Sequence, residues 1–281
     1  MTTDLDRAAR RLGASANVAH GFVYFAPEAA TAYGAIGLLD HQQYFASRAA
    51  PLGAASAATV EATFFNFAPH RVQAAIPSAW EVTTPAAAQQ ARLDGVDAVF
   101  ARIGGIGLSP AETDEATNLL RHMIDGVDFS GKPLAAGNRD VDLPADPHLS
   151  LWQLATVIRE WRGDAHNAVL TATPVGAVEA LVLHAATGKV PMAALRDTRG
   201  WDEVVWAAAV ASLHRQGLTE PDGSFTETGR AFRADIETRT DRACRPLVEA
   251  VGADGSARLT ELLAQVGEAF SAAGLYALFT R

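Results

Sequence analysis

The sequence predicts an all-α protein that carries one small β-wing, and three observations lead there. Apolar residues recur at helical spacing along almost the whole chain. Apart from one short stretch, no run of alternating β-branched residues is long enough for a sheet. That stretch is the turn Pro221-Asp222-Gly223 between Leu218-Thr219 and Ser224-Phe225. Proline presets the first dihedral of such a turn and glycine supplies the positive φ that lets the flanks pair.

Taken in order, the first helix spans 3–25, and Pro27 opens an Ala-rich helix to 38. Spans 40–48, 54–67, 69–77, 85–103 and 110–125 complete an N-terminal half, 1–125. The segment 126–147, rich in Gly, Pro, Asp and Asn, reads as a connector. In the C-terminal half, 148–281, a helix at 147–162 is stopped by Gly163, and Asp164 caps the next at 164–172. Pro174 opens 174–187, and a short helix follows at 190–197. The helix 201–216 places Val204, Val205, Ala208, Ala211 and Leu213 on a buried face and stops at Gly217. After the hairpin at 218–226, Thr226 caps a helix to 250, and the last helix covers 256–275. The stretch from about 190 to 250 therefore has the order of a winged-helix-like unit.

The two halves echo each other. Val18-Ala19-His20-Gly21 matches Asp164-Ala165-His166-Asn167, and Pro69-His70-Arg71 sits where Leu213-His214-Arg215 sits later, at offsets near 146. Two related helical halves are expected, the first lacking a wing. Such halves commonly enclose a cleft, and clefts are where small molecules bind.

Charge and composition limit the partners. The chain has 281 residues, 49% of them apolar, a net charge of −9 and a pI near 5.3. The balance is poorly suited to nucleic acid or an anionic membrane. Asp202 and Glu203 open the helix that would read DNA, and Glu220, Asp222 and Glu227 surround the wing, so a regulator lacks its electrostatic footprint. The lone Cys244 provides no disulfide framework and suits a reducing cytoplasm. No signal peptide or span of about 18 apolar residues is present, so a cytoplasmic protein is expected, with a homodimer as one assembly. The sequence has no P-loop, HExxH, CxxC or GxSxG, and GGIGLS at 104–109 lacks the strand a dinucleotide site needs. No metal site is expected and no cofactor is identified.

The segments VAHGFVYFAPEA, YFASRAAPLG, FFNFAP, LWQLATVIREWRGDAH and GLTEPDGSFTETGR together resemble an actinobacterial family of two-part helical proteins of helix-turn-helix or winged-helix-like type. The resemblance covers nearly the whole chain. It implies the fold and no particular activity.

Several polar residues stand out against this apolar background. Asp164, two residues before His166, can orient an imidazole, and Arg162 can grip a carboxylate or phosphate bidentately. Glu160 and Trp152 lie on the same stretch, and His20 matches His166 in the first half, beside Tyr24 and Glu28. If a pseudo-twofold axis relates the halves, both histidines face one cavity, for acid–base chemistry or axial ligation of a haem. Tyr44 and Arg48 stand four apart on one face, and Arg48 requires an acceptor: a ligand anion, a carboxylate or a helix C-terminus. Asn66 within FFNF requires a partner too. Each has a structural reading beside it: surface ion pairs for Glu160 and Arg162, a cap for Asp164, packed imidazoles for both histidines. The expected function is small-molecule binding in the cleft, with cofactor-independent lyase, isomerase or hydrolase chemistry as its enzymatic form; the alternatives are a ligand-responsive regulator and a haem carrier.

Overall fold

A computed structural model describes residues 2–276. Helix accounts for 75% of the described residues, so the all-α class holds. The helices are α1 (Asp4–Gly21), α2 (Pro27–Ala35), α3 (Asp40–Ala49), α4 (Ala57–Phe64), α5 (Pro69–Ala75), α6 (Ser78–Val82), α7 (Pro85–Ile103) and α8 (Pro110–Asp125). They continue as α9 (Pro133–Arg139), α10 (Pro147–Ala172), α11 (Ala177–Ala185), α12 (Met192–Arg199), α13 (Glu203–Arg215), α14 (Glu227–Ala243) and α15 (Arg245–Ala272).

Local chemistry sets most of these boundaries. Thr3 and Ser109 start α1 and α8 as capping boxes with Asp6 and Glu112. Asp146 accepts from the amides of His148 and Leu149 while Pro147 occupies the first turn of α10. Gly200, at φ 79, ends α12 in the left-handed conformation.

The structure departs from the sequence reading in four places. Gly163 does not stop a helix: α10 runs unbroken through it for 26 residues. A mid-helix glycine costs about 1 kcal/mol. That is small beside the burial of α10, whose side chains from Ser150 to Ile158 are all buried as it packs on α1, α8, α9 and α14. The connector 126–147 contains α9. The wing is not a β-structure: among the described residues there is no strand, and the turn carries a single antiparallel bridge, Thr219 to Phe225. Its arms end after two residues because Thr226 is already the N-cap of α14, its hydroxyl accepting from the Gly229 amide. Finally, α13 is rotated from its expected phase. It buries Trp206, Ala209 and Leu213, leaving Val204 78% exposed and Val205 37% exposed.

Two hydrophobic cores result. The larger forms a helical body from α1 to α9, the first two-thirds of α10, and α15. The smaller joins the end of α10 to α11, α12, α13 and the middle of α14 in a lobe centred on Trp206, Leu213 and Val182. These cores do not coincide with the sequence division at 126–147, because α10 passes from one into the other. No single helix among the described residues is long and apolar enough to cross a membrane.

The connection between α4 and α5 ties body to lobe. Phe65, a non-glycine residue at φ 63, packs against the lobe core, while Phe64 and Phe67 stay in the body. The Trp201 indole donates to the Asn66 carbonyl at 3.0 Å, and the Ala68 amide donates to the Arg199 carbonyl at 2.9 Å. A positive φ at an aromatic residue, here the centre of a tight turn closed by the Asn66 amide donating to the Phe64 carbonyl at 2.8 Å, is an uncommon and costly conformation, held by anchors on both sides.

Candidate functional site

The polar residues singled out in the sequence fall into two groups, one sealed in the body and one on a cavity.

The sealed group surrounds His20, which is fully buried. Its Nδ1 is 2.8 Å from the Thr156 hydroxyl and its Nε2 is 3.1 Å from the Tyr24 hydroxyl. Thr156 already donates to the Trp152 carbonyl at 2.9 Å, so its oxygen accepts from His20 Nδ1–H, and Tyr24 donates to Nε2. Burial, with Arg92 and Arg159 nearby, holds the imidazole well below its usual pKa and therefore neutral. Burial also pushes the Tyr24 hydroxyl up to about 12. Trp152 stacks on the imidazole at 5.3 Å.

Beside this pair, Arg48 binds Glu160 bidentately, Nε to Oε1 at 3.1 Å and Nη2 to Oε2 at 2.9 Å. Its third nitrogen donates to the Tyr44 hydroxyl at 3.2 Å, and its guanidinium lies 4.3 Å above the Phe64 ring. The acceptor that Arg48 requires is thus a structural carboxylate. Arg159 adds an ion pair to Glu160 Oε1 at 2.7 Å. Burial alone would raise the Glu160 carboxyl, but Arg159 and Arg48 overturn that and hold it well below the usual range. His20, Tyr24, Tyr44, Arg48 and Glu160 therefore come together as one hydrogen-bonded network, with Trp152 stacked on it through its ring. Glu28 does not join it; it pairs with Arg102 of α7.

The second group lines a cavity of about 1050 Å³ between the body and the lobe. From α1 come Arg10, Gly13 and Asn17; from α10 come Arg159, Arg162, His166 and Leu170. The lobe adds His184, Lys189, Arg199 and, from α14, Arg230, Arg233 and Glu237; Asn66 lines it from the tie. His166 Nδ1 lies 3.0 Å from the Thr240 hydroxyl, which itself donates to the Ile236 carbonyl, so Nδ1 carries the proton. Nε2 makes no hydrogen bond among the described residues and is a free acceptor. Burial depresses this imidazole to about 4, against the pull of Glu237.

Three expectations are corrected here. The two histidines do not share a cavity: His166 lines it and His20 is sealed behind Trp152. Asp164 does not orient His166; it turns away to accept from the Ala135 amide in the first turn of α9 at 3.0 Å. Burial raises its carboxyl to about 6. A haem held between His20 and His166 does not fit, because His20 has both ring nitrogens engaged outside the cavity. No group of three or more His, Cys, Asp or Glu suited to a metal occurs among the described residues. Arg162 is also committed, to Asp241 at 2.7 Å and Glu237 at 2.9 Å.

Sequence reasoning missed Asp241, a buried carboxylate that binds both Arg10 and Arg162, and it missed Arg199, Arg230 and Arg233. These residues lie on separate elements, and no spacing in the chain announces their convergence. Cys244 is buried, with its thiol pushed up to about 11 by burial, which leaves it unreactive.

The turn Gly200–Asp202 joins α12 to α13, the arrangement of a helix-turn-helix, with Arg196 paired to Glu203 across it. Comparison with curated proteins finds no match, and comparison with solved structures finds none either. A family model described as a helix-turn-helix family matches residues 9–277, nearly the full length. The chain belongs to that helix-turn-helix family.

Proposed function

We propose that this protein binds a small molecule in the cavity between its helical body and its helix-turn-helix lobe. The observation that carries this reading is the cavity of about 1050 Å³ walled by two separately cored units. Its volume matches the upper range of small-molecule sites, about 300–1,000 Å³. Its lining residues are mainly polar, with seven Lys and Arg side chains and Glu237 set beside apolar ones such as Leu181 and Leu195. His166, neutral with a free Nε2, is suited to accept a hydrogen bond or a proton there, and this is the form in which acid–base chemistry enters the reading. The test is a ligand-observed NMR screen of a fragment library on the full chain, with Ala234→Trp filling the cavity from α14. Fragments that bind the native chain and are lost in Ala234→Trp are expected. A screen without hits, or hits indifferent to Ala234→Trp, contradicts the reading.

The second reading is a ligand-responsive regulator, supported by family membership and by the α12–α13 arrangement. Against it stand Asp202, Glu203 and the exposed Val204 where phosphate contacts would fall. Duplex binding that weakens as salt rises would favour it. We propose further that the two helical halves are diverged copies. Supporting this, Val18-Ala19-His20-Gly21 is echoed by Asp164-Ala165-His166-Asn167 at an offset of about 146.

A further inference from the structure

We infer that the ligand of this cavity is an organic anion, its phosphate or carboxylate head held by Lys189, Arg199 and Arg230 and its apolar part against Leu170, Leu181 and Phe225. This rests on the ligand-binding reading of the same cavity and gives that ligand a chemical class.

The first observation is charge segregation. The chain carries 32 acidic side chains against 23 Lys and Arg, yet the cavity wall has seven cations and one carboxylate, Glu237. A concave site of one sign with low-dielectric walls focuses its field and concentrates the opposite charge.

The second is how those cations are paired. Arg10 and Arg162 share Asp241; Arg162 and Arg233 share Glu237; Arg159 takes Glu160 together with Arg48. These four are ion-paired within the protein, sharing three carboxylates with Arg48, and serve as wall. Lys189, Arg199 and Arg230 have no ion pair among the described residues, and all three belong to the lobe.

The third is Arg199 itself. Its guanidinium sits 4.7 Å above the Phe67 ring, Nη1 donates to the Thr198 hydroxyl at 3.1 Å, and Nε is buried without an acceptor. Its carbonyl is pinned by the Ala68 amide, so the side chain springs from a fixed base. Burial depresses its pKa, and Arg48 and Arg159 add to that, while Tyr44 opposes. A planar cation placed where its charge is disfavoured is relieved by an anion, and guanidinium geometry suits phosphate and carboxylate. The free Nε2 of His166 supplies an acceptor in the same wall for a hydroxyl beside the head group. The other surface available for phosphate, the exposed face of α13, offers Asp202, Glu203 and Val204, so the basic site belongs to a ligand in the cavity and not to DNA on the recognition face.

The experiment is isothermal titration calorimetry of the full chain with three probes of one apolar body: phenyl phosphate, phenylacetate and benzyl alcohol. At least one anion is expected to bind about tenfold or more tightly than the alcohol, and to weaken as sodium chloride rises. The tighter of the two anions identifies the head group. Arg199→Met and Arg230→Met are each expected to weaken that anion about fivefold or more, with circular dichroism spectra unchanged. Equal binding of alcohol and anions, or anion binding unaffected by both variants, overturns the inference. So does displacement of a bound anion by a short DNA duplex. If fragments occupy the cavity in the NMR screen while neither anion binds, the anion inference fails and the ligand-binding reading stands. If the screen fails as well, both fall.

Discussion

Asp164 shows how a residue can be picked out correctly as unusual and still be given the wrong partner. Its carboxyl is 4% exposed and accepts from the Ala135 amide, and burial raises its pKa from 3.8 to about 6. A carboxyl whose folded pKa lies above its unfolded one favours folding in its protonated form. Its contribution is therefore fully present below about pH 4 and is lost as pH rises through about 6. Asp164→Asn keeps an acceptor oxygen and cannot ionise. Relative to the native chain, the variant should gain about 2 kcal/mol in stability between about pH 4 and about pH 8. Urea denaturation at the two pH values checks this, and a constant difference would place the ionised form elsewhere.

Arg48 is the complementary case. Sequence reasoning identified that it needs an acceptor, and left ligand anion, carboxylate and helix terminus open; the structure supplies Glu160. Removing one partner of a buried, bidentate pair leaves a charge underpaired. Arg48→Met should cost about 3 kcal/mol of stability. Ligand affinity in the cavity should change by less than stability does, because Arg48 does not line it and reaches it only through the shared Glu160 and Arg159. A large loss of affinity without loss of stability would move Arg48 from scaffold to site.

At the scale of the element, capping chemistry was legible and helix interiors were not. The helices expected from 110, from 147 and after the Thr226 cap begin there in the structure, whereas Asp164, read as a cap, lies inside α10. Gly163 looked like a stop because glycine is a poor helix former, but its fate was decided by neighbours of α10 that lie far away in sequence. The phase of α13 was lost for a related reason. With apolar or small residues at every position from Val204 to Leu213, the sequence holds little contrast between its faces, and Trp206 decides which one is buried. The hairpin was legible as a turn and over-read as a sheet. Its compactness rests on Gly229, where an added Cβ would lie 1.8 Å from the Leu218 carbonyl oxygen. Gly229→Ala should therefore displace the turn from α14 and cost about 3 kcal/mol. Thermal melting reads the loss, and a variant as stable as the native chain would show that the hairpin is not pressed against this helix.

At the scale of the molecule, the all-α class was visible in the periodicity. The lining of the cavity was not. Arg10, Arg162, Arg199 and Arg230 come from α1, α10, α12 and α14, and their convergence is a product of packing two cores against one long helix. The same packing divides the histidines, sealing His20 among Trp152, Thr156 and Tyr24 and leaving His166 on the cavity. That division makes the central claim directly measurable, because one imidazole is a probe and the other its internal control. In a chain with ¹⁵N-labelled histidine rings, saturation with a fragment taken from the screen should shift the Nε2 resonance of His166 and leave both nitrogens of His20 unmoved. An unmoved His166 under a saturating ligand would contradict a site between body and lobe.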